Sequence, residues 1–116
     1  MRVISGKYKG KNLEGYTLNG TRPTMDRVKE SMFAMIQNKI KDSIVLDLFA
    51  GSGALGIEAL SNGASLCYFV DKSRQAIETI KKNTKDMDDV VILFKDYQEA
   101  LSYFQSNRIT FDIILL

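Results

Sequence analysis

A glycine-rich loop and three aspartates are the residues of this 116-residue chain whose types and spacing could do chemistry. Residues 45–56 contain a G-x-G-x-x-G pattern, formed by Gly51, Gly53 and Gly56, after a strand-like apolar run and before a helical pattern. Glycines at such a turn let the backbone approach a ligand closely, and the free N–H groups of the helix start attract its anionic end. The pattern therefore predicts a nucleotide-type ligand site.

Asp47 ends the apolar run just ahead of the glycines and discriminates between two ligand classes. A carboxylate at this place would repel a pyrophosphate, because like charges at close range disfavour each other. It would attract S-adenosylmethionine, which carries a sulfonium and an ammonium besides one carboxylate for the helix start. The charge pattern therefore favours S-adenosylmethionine over NAD as the cofactor.

Asp71 and Asp96 follow the next two strand-like runs. An acid in the place of Asp71 accepts hydrogen bonds from ribose hydroxyls in both cofactor classes, so it supports adenosine binding without choosing between them. Asp96 could accept from the adenine amino group, with Tyr97 packed beside the ring. Alternatively Asp96 caps the third helix of the alternating region, and both roles can hold together. The predicted cofactor-binding residues are Asp47, Phe49, Gly51, Ser52, Gly53, Asp71, Lys72, Asp96 and Tyr97.

The elements that position these residues alternate between strands and helices from residue 43 onward. Strands are predicted at residues 44–49, 66–70, 90–94 and 111–116. Helices are predicted at residues 54–60, after the cap Ser73, and around Ala100 and Leu101. Ahead of them, glycines at residues 6 and 10 suggest a β-hairpin. A helix near residues 24–40 should follow, and its predicted buried stripe is Val28, Met32, Phe33, Ile36 and Ile40.

This alternation predicts an α/β fold, a Rossmann-like parallel sheet preceded by the hairpin and the first helix. The expected partial strand order is 3-2-1-4, with the ligand crevice at the carboxyl ends of strands one and four. We divide the chain into an N-terminal extension, residues 1–41, and a cofactor-binding region, residues 42–116, which would be incomplete at its C-terminus. An edge strand at residues 113–116 would leave N–H and C=O groups unpaired, so a dimer through that edge is an expectation.

Charge is distributed unevenly along the chain. Residues 1–41 hold nine Lys and Arg against three Asp and Glu, whereas residues 42–116 hold seven against eleven. A basic segment joined to an acidic body suggests an anionic macromolecule as partner, although a merely solvated face has the same composition. The predicted RNA-binding residues are Lys7, Tyr8, Lys9, Lys11, Arg22 and Arg27.

Several function classes are disfavoured by what the 116 residues lack. They contain no histidine, so Ser-His-Asp hydrolysis and His-based zinc sites have no basis here, and no metal is expected. The one cysteine, Cys67, lies in an apolar run and is predicted to be a buried hydrophobe, which suits a reducing cytoplasm. No apolar stretch is long enough for a membrane span, and the first residues lack a signal-peptide core.

Four segments together resemble the RsmD family of bacterial methyltransferases. They are residues 6–10, the Arg-Pro-Thr entry at residues 21–24 with Arg27 and Val28, residues 45–60, and residues 111–116. The resemblance covers the whole chain in register. It implies transfer of a methyl group from S-adenosylmethionine to the exocyclic N2 of a guanine in 16S ribosomal RNA, with the target base flipped out. The family's catalytic Asp-Pro-Pro-Tyr loop would come directly after Leu116, so no catalytic residue can be assigned, and the chain by itself is expected to be inactive.

Two other interpretations stay open at this point. One is an NAD-type oxidoreductase domain, which Asp47 and the lack of a histidine for hydride-transfer chemistry disfavour. The other is a non-catalytic module that binds RNA or nucleotides. Cofactor titration separates the methyltransferase from the oxidoreductase, and RNA binding without turnover would favour the third interpretation.

Overall fold

The computed structural model describes the backbone of residues 1–15 and 23–116, and the side chains of residues 1–15 and 27–116. An irregular hairpin at residues 1–13 precedes four helices and four strands. In chain order these are α1 (Pro23–Ile40), β1 (Ile44–Asp47), α2 (Ala54–Ser61), β2 (Leu66–Asp71), α3 (Arg74–Thr84), β3 (Val90–Phe94), α4 (Tyr97–Ser106) and β4 (Ile113–Leu115).

The four strands form one parallel sheet in the order β3-β2-β1-β4, as the alternating pattern predicted. Asp47, the last residue of β1, pairs with Phe69 on one side and Leu115 on the other. Asp71, the last residue of β2, pairs with Phe94 at the end of β3. The carboxyl ends of β1, β2 and β3 therefore lie along one edge of the sheet, where ligands of open α/β sheets bind.

The strands are apolar on both faces because helices cover both sides of the sheet. Val45, Cys67 and Phe69 point into a large core shared with α2 and α3, which the hairpin also joins. Leu46 and Val70 point to the opposite face, in a smaller cluster with Ala100 and Phe104 of α4. The prediction that Cys67 is buried is confirmed.

The N-terminal hairpin is held by antiparallel backbone pairing too short to form regular strands. Arg2 and Asn12 form a bridge, and the Val3 amide donates to the Lys11 carbonyl at 2.9 Å. Gly6 at the turn has φ +87° and packs so tightly on α2 that a Cβ would lie 2.1 Å from the Ser61 carbonyl oxygen. A side chain at residue 6 would therefore push the hairpin off α2.

One predicted buried position is wrong. Val28 of α1 is 63% exposed, and the neighbouring Lys29 takes the inward position instead. The stripe is rotated because the Lys29 ammonium pairs with a buried carboxylate of α2, as described below. In α4, the predicted helix around Ala100 and Leu101, Ala100 and Phe104 fill the contact with the sheet, and Leu101 is 46% exposed.

β4 pairs with β1 and leaves Ile114 and Leu116 exposed, while Leu115 is buried in the core. A dimer through this edge stays a prediction. Within the part of the chain that the structure describes, no helix has the length and apolarity needed to cross a membrane.

Candidate functional site

The glycine-rich loop connects β1 to α2 through two residues with left-handed backbone. Gly51 has φ +59° and Gly53 has φ +84°, a region that residues with a side chain enter at a cost. Gly53 occupies the cap position of α2 and offers no side chain to the first amide groups of the helix. The start of α2 therefore needs an acceptor from elsewhere in the chain.

Asp47 supplies that acceptor. Its side chain is buried, and its Oδ2 accepts a hydrogen bond from the Gly56 amide in the first turn of α2 at 3.0 Å. The pKa of Asp47 is raised from 3.8 to about 7, chiefly because burial disfavours the charged form. The Gly56 hydrogen bond lowers the pKa in part, and the negative charge of Asp71 adds to the rise. The carboxylate thus fixes the loop, and its charge is poorly compensated by the described residues.

Asp71 braces the same loop from β2. One carboxylate oxygen accepts from the Gly51 amide at 2.9 Å, and the other accepts from the Ser73 amide at 2.9 Å. Each carboxylate oxygen can accept more than one hydrogen bond, so Asp71 retains acceptor capacity toward the crevice. Asp47 and Asp71 together make the carboxyl edge of β1 and β2 acidic.

Asp96 follows β3 and caps α4, as the second of its two predicted roles requires. Its Oδ1 accepts from the Glu99 amide at 2.8 Å. Oδ2 has no hydrogen-bond partner among the described residues, so it can accept a donor from a ligand. The adenine contact of Asp96 stays a prediction.

An aromatic pair lies at the same edge of the sheet. Phe49 is 60% exposed and Tyr97 is 46% exposed, and their ring centroids are 5.9 Å apart at an interplanar angle of 52°. Exposed aromatic rings at a ligand crevice offer a flat apolar surface to a base or a sugar. The structure thus brings Phe49, which follows β1, to Tyr97, which begins α4. Lys72 is exposed and makes no hydrogen bond or ion pair with another described residue.

Gly56, the third glycine of the pattern, serves packing. A Cβ at this residue would lie 2.4 Å from Cε1 of Phe69 and 2.7 Å from Sγ of Cys67. These distances are far below van der Waals contact, so only glycine lets α2 lie this close to β2. The G-x-G-x-x-G pattern therefore divides into two loop glycines and one helix–strand contact.

Sequence reasoning missed Asn83, which joins the loop to the N-terminal segment. Asn83 is buried at the end of α3, and its Nδ2 donates to the Ser52 carbonyl at 3.0 Å and to the Glu14 carbonyl at 2.9 Å. Its Oδ1 accepts from the Glu14 amide at 2.8 Å. A signal existed, because an asparagine three residues after the buried Ile80 occupies the inward face of α3.

A second missed feature is the buried ion pair between Lys29 of α1 and Glu58 of α2. The Lys29 ammonium lies 3.2 Å from the Glu58 carboxylate. Glu58 also accepts from the amides of Ile4 and Ser5, each at 3.0 Å, and Lys29 donates to the Arg2 carbonyl at 2.9 Å. The pair therefore holds the hairpin against both helices.

The predicted RNA-binding residues are distributed over different surroundings. The ammonium groups of Lys7 and Lys11 lie 5.3 Å and 5.8 Å from the centre of the Tyr8 ring. Lys11 also pairs with Asp86 and holds the pKa of that carboxyl below its ordinary value. Lys9 and Arg27 are exposed. Arg22 lies outside the described residues, so its role stays a prediction.

The strand order, the loop after β1 and the acidic strand ends define the fold of class I methyltransferases. A family model described as conserved hypothetical protein 95 matches residues 1–116. The chain therefore belongs to this family, which is the RsmD family that its motifs resemble.

Individual relatives agree with this assignment. The chain is 53% identical to YlbH of Bacillus subtilis (strain 168) over 88 residues, which are 76% of this chain and 48% of YlbH. It is 41% identical to ribosomal RNA small subunit methyltransferase D of Escherichia coli (strain K12) over 83 residues, 72% of this chain and 42% of that protein. The solved structure of yhhF from Escherichia coli superposes with a TM-score of 0.79 at 34% identity, covering 88% of this chain and 56% of that one. The chain thus spans about half the length of these relatives.

Proposed function

We propose that the chain binds S-adenosylmethionine at the carboxyl ends of β1, β2 and β3, as the cofactor-binding part of a ribosomal RNA methyltransferase. The observation that carries the proposal is the arrangement of Asp47 and Asp71 around the Gly51–Gly53 loop. Both acidic side chains hold loop amides in place at one edge of the sheet. Because the pKa of Asp47 is about 7, a cationic ligand beside it would favour its charged form. A ligand with cationic groups compensates that charge, whereas a dinucleotide adds to it.

The other crevice residues fit the adenosine part of this ligand. Asp71 retains acceptor capacity for ribose hydroxyls, and the unpaired Oδ2 of Asp96 is available to the adenine amino group. The exposed rings of Phe49 and Tyr97 offer apolar surface beside it. Asp71 and Asp96 are held by backbone amides before the ligand arrives, which lowers the entropic cost of binding.

When bound, S-adenosylmethionine supplies a methyl group on a positively charged sulfur, which an amine nitrogen can accept with its lone pair while the broken C–S bond leaves its electrons on sulfur. The chain's own residues bind and orient. The loop glycines let the ligand lie close to the main chain of the protein, and the strand-end carboxylates set the ligand's position. Orientation of this kind supplies a large part of the rate gain in transfer reactions.

The basic hairpin and the start of α1 form the proposed RNA surface. The net charge of residues 1–41 is opposite in sign to that of residues 42–116. Lys7, Lys9 and Arg27 are exposed, so they can contact phosphates. The similarity to ribosomal RNA small subunit methyltransferase D favours the small-subunit ribosomal RNA, the 16S RNA of bacteria, as the partner. The resemblance of the motifs to the RsmD family adds N2 of a guanine as the proposed methyl acceptor. Such a role in rRNA processing belongs in the cytoplasm.

A nitrogen-15 NMR titration tests both halves of the proposal on the chain itself. S-adenosylhomocysteine should shift amide signals of the loop, of residues 71–73 and of residues 96–97. A ribosomal RNA fragment should instead shift signals of the hairpin and of the first turns of α1. Saturable shifts in only one region would refute the other half, and overlap of both ligands on one surface would contradict the division of the sites.

A further inference from the structure

Three cationic side chains converge where the hairpin meets the beginning of α1. Arg2, Lys9 and Arg27 line one cavity of about 200 Å³. Its remaining walls are Val3, Ile4, Gly10 and Glu30. Arg2 was not among the residues that the sequence singled out, because only the fold brings residue 2 beside residue 27.

None of the three cations forms an ion pair with another described residue. In contrast, Lys11 pairs with Asp86, and Lys29 pairs with Glu58. With Glu30 as the acidic residue of the lining, the cavity keeps an excess of positive charge. Like charges held together disfavour each other, so this arrangement is stabilised by an anion that binds between them.

The backbone beneath the cavity is fixed. The Arg2 carbonyl accepts from the buried Lys29 ammonium at 2.9 Å, and the Gly10 amide donates to the Val3 carbonyl at 2.9 Å. Gly10 has φ +87°, and no heavy atom lies within 4 Å of the place where its Cβ would be. A ligand backbone can therefore approach the chain closely at Gly10 without displacing a side chain.

We propose that Arg2, Lys9 and Arg27 form a site for one backbone phosphate of the RNA. This site rests on the proposed function, because it specifies where the RNA partner is held. Two guanidinium groups suit a phosphate, since each can donate two parallel hydrogen bonds to its oxygens. An RNA phosphate is favoured over a free anion because all three side chains are exposed, and because the hairpin carries Lys7 and Tyr8 next to them for further contacts.

The test compares two triple variants that lose the same charge. The site variant is Arg2→Gln/Lys9→Gln/Arg27→Gln. The control is Lys39→Gln/Lys81→Gln/Lys85→Gln, whose lysines are also exposed and also lack an ion pair with a described residue. Binding of a fluorescently labelled single-stranded RNA is measured across salt concentrations. The site variant should reduce the slope of log K against log salt by about 0.7, because about 0.7 counterion is released per phosphate contact of a single strand and the site holds one phosphate. The control should change the slope much less.

Two checks keep the outcome interpretable. Thermal unfolding verifies that both triple variants fold. If the site triple does not fold, the single variant Lys9→Gln replaces it, and it should reduce the slope by part of that change of about 0.7 while Lys81→Gln leaves the slope unchanged. Inorganic phosphate is also titrated alone while the amide signals of Gly10 and Arg27 are followed by NMR. Their shifts should not reach saturation at the phosphate concentrations at which the RNA saturates them.

Each contrary result has one meaning. Equal loss of slope in both triples, or no loss in the site triple, overturns the phosphate site while the RNA-binding function stands. Saturation by inorganic phosphate as readily as by RNA assigns the site to a free anion and overturns the RNA assignment. Absence of salt-dependent RNA binding by the unmodified chain overturns the RNA half of the proposed function, and the phosphate site with it.

Discussion

The Lys29 ammonium of α1 lies 3.2 Å from the Glu58 carboxylate of α2, and both side chains are almost completely buried. Charges removed from water in this way are stable only with full hydrogen bonding. Glu58 obtains it from the amides of Ile4 and Ser5, and Lys29 from the Arg2 carbonyl. This buried ion pair therefore helps to set the orientation of the proposed RNA surface relative to α2, beside the packing of Gly6 on that helix.

Replacement of Lys29 by Met should reduce the free energy of unfolding by about 3–5 kcal/mol, because it leaves the Glu58 charge buried and unpaired. The double variant Lys29→Met/Glu58→Gln should recover part of the loss. Denaturant titration measures all three proteins. The matched control is Lys82→Met at the exposed pair with Glu14, where the charged groups are 3.9 Å apart, and its expected cost is below about 1 kcal/mol. Similar losses at Lys29 and Lys82 would contradict the role assigned to the buried pair.

Asn83→Ala should destabilise the chain by about 2–3 kcal/mol, because it removes partners from the Ser52 carbonyl and from both backbone groups of Glu14. Asn83→Asp should cost at least as much, since a carboxylate cannot donate to the two carbonyls. Affinity for S-adenosylhomocysteine should fall with both variants because Ser52 lies in the loop. The exposed Asn38→Ala serves as control. If calorimetry finds unchanged affinity in both Asn83 variants, the loop does not depend on this residue.

Gly56→Ala should cost about 1–3 kcal/mol of stability despite the better helix propensity of alanine, because its Cβ would collide with Phe69 and Cys67. The second change Phe69→Leu should recover part of that loss by removing the closest ring atom. Gly10→Ala is the comparison, since it meets open space and carries only left-handed strain of about 1–2 kcal/mol. Unfolding curves that show no rescue by Phe69→Leu would argue against the packing explanation.

Asp47 should make stability depend on pH. Because the pKa of Asp47 is raised from 3.8 to about 7, the folded chain binds this proton more tightly than the unfolded chain. The stability that Asp47 contributes is therefore present at low pH and is lost as pH rises toward and through 7. Between about pH 5 and about pH 8, the unmodified chain should lose about 2–3 kcal/mol relative to Asp47→Asn. A constant difference between the two proteins across this range would contradict the assignment.

The sequence predicted much of the sheet because apolar runs, caps and turn glycines are local signals. β3 begins and ends where predicted, and Ser73 caps α3 through a hydrogen bond from the Ala76 amide. The inward position of Lys29 could not be predicted from periodicity, which favours the apolar Val28. Its partner Glu58 is 29 residues away, so only the packed structure shows that burial of the lysine is compensated.

The candidate site shows the same division. The three strand-end aspartates were identified from their places after apolar runs, and the structure brings them to one edge of the sheet. Their hydrogen bonds to loop and cap amides were not predicted, apart from the cap by Asp96, because they depend on how each strand end faces its neighbour. The convergence of Arg2 with Arg27 has no sequence signal at all.

Calorimetric titration of the chain with S-adenosylhomocysteine, and separately with NAD, tests the central claim most directly. The unmodified chain should bind S-adenosylhomocysteine, and NAD should give no saturable heat. Asp71→Ala should weaken the binding by a few kcal/mol at most, because it removes one or two hydrogen bonds to a charged acceptor and frees the Gly51 amide. The exposed Asp88→Ala should leave it unchanged. Tight NAD binding without any binding of S-adenosylhomocysteine would contradict the account.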